Sequence, residues 1–152
     1  MRERIFILFF YLLFFCKSTL LFCQEFRHGR LHIDISKGLP DEEVYQIEED
    51  QNKHIWLATN SGLYEFDGKQ YILHRAEQQN GQSVFQLTID NFGNIWCSNL
   101  SGQILKYTSI GGLSVVNTKG NVDNFIPILT ATENGVLVVN KYKAYHINND
   151  GQ

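Results

Sequence analysis

The residues able to do chemistry here are five histidines, three cysteines and scattered carboxylates and hydroxyls, so their spacing is the first question. His28, His32, His54, His74 and His146 show no close ligand spacing, and no cysteine pair would remain in the mature chain to complete a tetrahedral zinc site. The run Asp90-Asn91-Phe92-Gly93-Asn94 has the start of a calcium loop but neither its alternating oxygen ligands nor its later bidentate Glu, so a hairpin turn explains it better. No Ser or Cys stands on a strand-turn-helix elbow with a His to activate it, which argues against an enzyme. Asn99-Leu100-Ser101 is formally a glycosylation sequon and reads as a turn. No cofactor, metal or catalytic residue is therefore expected.

Glu42, Glu43, Glu48, Glu49 and Asp50 form an acidic stretch that reads as a solvated strand edge and turn. The net charge is −3 and no Lys/Arg stripe exists to track phosphates, which excludes nucleic acid as an expected partner. With 43% hydrophobic, 13% aromatic and 19% charged residues, the chain belongs with packed globular domains.

The N-terminus differs in character from the rest of the chain. Arg2 and Arg4 precede the apolar run from Ile5 to Cys16, which Lys17 interrupts after twelve residues, short of the roughly 20 that a spanning helix needs. Residues 1–23 read as a helical signal peptide, with a retained signal anchor as the alternative. Cleavage is expected near Cys23 and Gln24. Lipidation of Cys23 competes with it but is disfavoured by the bulky Phe22. Removal of this segment leaves Cys97 as the lone cysteine, expected to be buried and free.

The positioning elements follow from a repeat. Val44-Tyr45-Gln46-Ile47, Asp50, Ile55-Trp56 and Ser61-Gly62 recur as Val84-Phe85-Gln86-Leu87, Asp90, Ile95-Trp96 and Ser101-Gly102, each 40 positions later. A degenerate third copy places strands at Ile126 to Leu129, Gly135 to Val139 and Ala144 to Ile147, with Leu137 where the tryptophan would be. Each copy consists of short runs rich in Val, Ile, Tyr, Phe and Trp between turn residues, and no helical period appears after residue 24. Asp50 and Asp90 are placed to accept backbone N–H bonds across a turn. Gly62 can take positive φ, and Asp67-Gly68 signals a two-residue hairpin. The resulting fold class is all-β: a partial β-propeller of about three four-stranded antiparallel blades. A β-sandwich is the alternative, but it leaves the fixed Trp56 to Trp96 spacing unexplained. In a blade each tryptophan would fill the space between neighbouring sheets.

The pattern Gly38-Leu39-Pro40, Val44, Ile47, Asp50, Ile55-Trp56, Ala58-Thr59, Gly62-Leu63 and Asp67-Gly68 resembles the two-component regulator propeller repeat of extracytoplasmic sensor regions in Bacteroidetes-type histidine kinases. The second copy keeps Asp90, Gly93, Ile95, Trp96 and Gly102, but has Cys97-Ser98-Asn99 where the first has Leu57-Ala58-Thr59. The resemblance implies a structural motif of Asp50, Ile55, Trp56, Thr59, Gly62, Asp67, Gly68, Asp90, Gly93, Ile95, Trp96 and Gly102. It does not identify ligand-binding residues.

It further implies an exported, periplasmic chain, membrane-tethered if residues 1–23 are retained or in a full-length relative. The expected organisation is a leader over 1–23, a lead-in over 24–43 with a strand at 30–35 that completes the last blade of an intact ring, and blades over 44–83, 84–124 and, incompletely, 125–152. The partners implied are the remaining blades and output domains of a longer sensor, a histidine kinase among them, with a small molecule or glycan as candidate ligand and a homodimer as candidate assembly. The function expected is non-catalytic ligand recognition in two-component signal transduction. The alternatives are a dimerisation and relay module without its own ligand, or a truncated product without function.

Overall fold

The computed structural model describes residues 38–116 and 125–149, and the expected leader (1–23) and lead-in strand (30–35) lie outside them. Eleven strands are described: β1 (Val44–Glu49), β2 (Ile55–Thr59), β3 (Gly62–Phe66), β4 (Tyr71–His74), β5 (Val84–Ile89), β6 (Ile95–Asn99), β7 (Ile104–Thr108), β8 (Gly112–Val115), β9 (Ile128–Thr132), β10 (Gly135–Val139) and β11 (Ala144–Asn148). No helix occurs among the described residues, and no segment of them could cross a membrane as an apolar helix.

The strands pair antiparallel into three meanders, β1-β2-β3-β4, β5-β6-β7-β8 and β9-β10-β11. This is the partial propeller expected from the repeat. Alternation along the strands gives the second sheet two apolar faces, because successive side chains point to opposite sides. Trp56, Ala58 and Leu63 of the first sheet pack against Ile95, Cys97 and Leu105 of the second. The opposite face of the second sheet, with Trp96 and Ile104, packs against Leu129, Val136, Val138 and Ile147 of the third. Both tryptophans are essentially buried. Each fills the gap to the next sheet in sequence, an arrangement a two-sheet sandwich does not produce.

Two local expectations shift. The β3–β4 connection is a four-residue loop, Asp67 to Gln70, because Phe66 pairs with Tyr71 and Asp67 Oδ1 accepts the N–H groups of both Lys69 and Gln70. That Asp-capped loop outcompetes the two-residue Asp67-Gly68 turn. In the third sheet the first strand is Ile128–Thr132, two residues later than expected, because Thr132 pairs with Gly135 across a tight Glu133-Asn134 turn. The first two sheets make the same connection with five residues, since Glu49 pairs with Ile55 and Ile89 with Ile95. The longer turn and the tryptophan are lost together.

Candidate functional site

The repeated module is built around a carboxylate. Asp90 Oδ1 accepts the Phe92 and Asn94 backbone N–H groups (2.9 Å each), and its Oδ2 accepts the Trp96 indole N–H (2.8 Å) and the Asn94 amide (2.9 Å). Asp50 repeats this with the N–H groups of Asn52 (2.8 Å) and His54 (3.0 Å) and the Trp56 indole (3.1 Å). One carboxylate thus closes a turn and satisfies the only polar group of a buried indole.

The other motif residues fall around this module. Ile55 is half-buried and Ile95 buried, each beside its tryptophan on the opposite face of the strand. Thr59 is buried, and its hydroxyl donates to the Gly62 carbonyl (2.9 Å) while accepting the Gly62 N–H (3.1 Å). Gly62, Gly68, Gly93 and Gly102 all have positive φ. At Gly62 an added Cβ would also lie 2.7 Å from Leu73 Cδ1. The corresponding turn of the second sheet replaces the hydroxyl with Asn99, whose amide donates to the Asn80 carbonyl (2.9 Å) and Gln103 Oε1 (2.8 Å). Asn99 is buried, so the sequon is closed to modification in the folded chain.

Between the first two sheets lies a polar cluster that no sequence motif singles out. Glu65, nearly buried, takes His54 Nδ1 on one oxygen (2.6 Å) and His74 Nε2 on the other (2.8 Å). His74 lies tilted against Trp56, and Tyr107 of the second sheet packs on both rings at centroid distances of 4.6 and 4.7 Å. Burial, then the negative charge of Glu65 and Asp50, raises the Tyr107 phenol above its ordinary range. The cluster was hidden because His54 ends the β1–β2 turn while Glu65 and His74 stand on β3 and β4, and only the pairing of β2, β3 and β4 brings them together. No group of three or more His, Cys, Asp or Glu among the described residues is arranged to hold a metal ion. Cys97 is buried and its thiol is pushed up to about 12, so it is inert as a nucleophile at neutral pH.

The inner strands carry the exposed chemistry. Tyr45 and Phe85, repeat equivalents on β1 and β5, stack at 4.4 Å. The Tyr45 hydroxyl donates to Glu43 (2.9 Å), a bond that raises its pKa. Beside them the Gln46 amide donates to the Leu87 carbonyl (2.6 Å) and accepts the Leu87 N–H (2.9 Å), clasping the neighbouring sheet by its main chain. Its repeat counterpart, Gln86, instead has φ of 53° at the β5 bulge. The recurring Val-aromatic-Gln sequence was the available signal for this rim. An aromatic stack flanked by a carboxylate can bind a flat or ring-shaped ligand by contact and hydrogen bonding, but nothing in it activates a nucleophile.

Fold and module together define a β-propeller segment. Residues 38–61 match the family described as two component regulator propeller, so the chain carries that repeat. The structure is similar to the extracellular domain of BT3049 of B. thetaiotaomicron, a protein whose name assigns it to a hybrid two component system. The TM-score is 0.57 at 21% identity over 79% of this chain, a likeness that shows the fold. The chain spans 20% of that structure's length. No curated protein matches the chain.

Proposed function

We propose that this chain is a sensor segment of a longer two-component signalling protein, acting outside the cytoplasm by ligand recognition and not by catalysis. The observation that carries the reading is the match of residues 38–61 to the regulator propeller repeat, on three sheets whose two joints are each filled by one tryptophan. In this reading the three sheets are blades over 44–83, 84–124 and 125–152, preceded by an export leader (1–23) and a lead-in (24–43). Further blades, followed by an output domain such as a histidine kinase, complete the protein. The Tyr45–Phe85 rim is the candidate recognition surface, and a glycan or other small molecule the candidate ligand. Thermal-shift measurement of the longer protein against a broad glycan and metabolite panel tests this. A ligand that raises the Tm supports it, and a flat response across the panel removes it.

One observation favours the second reading, a dimerisation and relay module. Ile128, Leu137 and Val139 are exposed on the face of the third sheet turned away from the second. Concentration-dependent self-association of the longer protein, without any ligand response, would select it.

A further inference from the structure

The two joints between sheets are not built alike. Across the first, the Gln46 amide makes two hydrogen bonds to the Leu87 main chain, the Ser83 hydroxyl donates to Asn60 (2.8 Å), and Trp56, His74 and Tyr107 interlock. Across the second, Thr88 Oγ1 accepts the Ala131 N–H and the Ser98 hydroxyl donates to the Pro127 carbonyl, both at 3.3 Å. The one short polar contact among those described is Lys106, whose ammonium donates to the Asn149 carbonyl (2.7 Å) and lies 4.8 Å from the centre of the Trp96 ring. The third sheet has three described strands where the others have four, and no tryptophan. It also carries a buried, unpartnered amide oxygen on Asn149, beside the carbonyl that Lys106 holds.

A buried acceptor without a partner weakens the closed state, and opening of the joint would hydrate it. The same side chain that pins the joint therefore sits next to its least satisfied group. We propose that the joint between the second and third sheets is a latch closed by Lys106, and that β9–β11 opens as one unit while β1–β8 stays folded. Opening exposes the Trp96 face of the second sheet, which gives the segment two discrete packing states that a ligand or neighbouring element can bias. This inference does not depend on the proposed ligand, since it concerns the chain alone.

Native-state hydrogen exchange on the full chain, read by mass spectrometry, tests it. In the unsubstituted chain the amides of β10 exchange faster than those of β2 and β6, as a block with β9 and β11. Lys106→Met accelerates that block by about tenfold and leaves β1–β4 unchanged, whereas Lys106→Arg keeps most of the protection. Equal protection of the slowest amides in all three sheets overturns the latch, and so does a uniform response to Lys106→Met. Should Lys106→Met not fold, the exchange pattern of the unsubstituted chain decides.

Discussion

Asp90 is 2% exposed and accepts four hydrogen bonds, so truncating it strands the Trp96 indole and two turn amides in a buried setting. Each abandoned buried donor costs about 1–3 kcal/mol, and some regain water. Asp90→Ala is expected to lower stability by about 3 kcal/mol in chemical denaturation, and Asp50→Ala by less, because Asp50 is more open to solvent. Asp41 works at the opposite end of the strands. Its carboxylate accepts the Glu43 N–H (3.0 Å) and the Ser61 N–H (2.7 Å), and these bonds, the Glu43 amide foremost, hold its pKa below the ordinary 3.8. A depressed carboxylate favours the folded state above its unfolded pKa, and that contribution fades as pH falls through the lower folded value. The Ser61 amide resonance should accordingly titrate below pH 3.8 in the native chain, and Asp41→Asn should remove the transition.

At the scale of elements, turn length governs what each sheet can hold. A five-residue turn led by Asp50 or Asp90 reaches the indole six positions on, whereas the tight Glu133-Asn134 turn has no leading aspartate and β10 has no indole to meet one. The third sheet compensates with Val136 and Val138, both fully buried. Its register depends on Gly135, whose φ of 149° suits glycine almost alone and where an added Cβ would overlap the Ile147 carbonyl oxygen. Gly135→Ala is expected to cost about 3 kcal/mol. The loss should appear as faster amide exchange in β9–β11, with β1–β4 protected as before.

For the whole molecule the deciding feature is a face of the third sheet that no other sheet covers among the described residues. Leu137 is 37% exposed, on the side that in the first two sheets carries a buried tryptophan. Leu137→Ser should therefore change the stability of the 152-residue chain by no more than about 0.5 kcal/mol, as surface substitutions do. In a longer protein whose next repeat covers this face, the same change should cost about 2 kcal/mol or more, as core truncations do. Paired urea titrations distinguish the two contexts, and equal effects in both would argue against a covering repeat.

Much of this architecture is legible in the amino-acid sequence. The 40-residue spacing of Asp50 and Asp90, and of Trp56 and Trp96, encodes the first two all-β meanders with a tryptophan in each, because turn chemistry and strand alternation are local properties written in neighbouring residues. Contacts between sheets are not local. Only the tertiary structure brings Glu65 between His54 and His74, sets the Gln46 amide on the Leu87 main chain, and lays Lys106 over Trp96 against Asn149. Such pairings depend on cross-strand register and on which face meets which. A one-residue slip in register would reverse every one of them while leaving the periodic pattern almost unchanged.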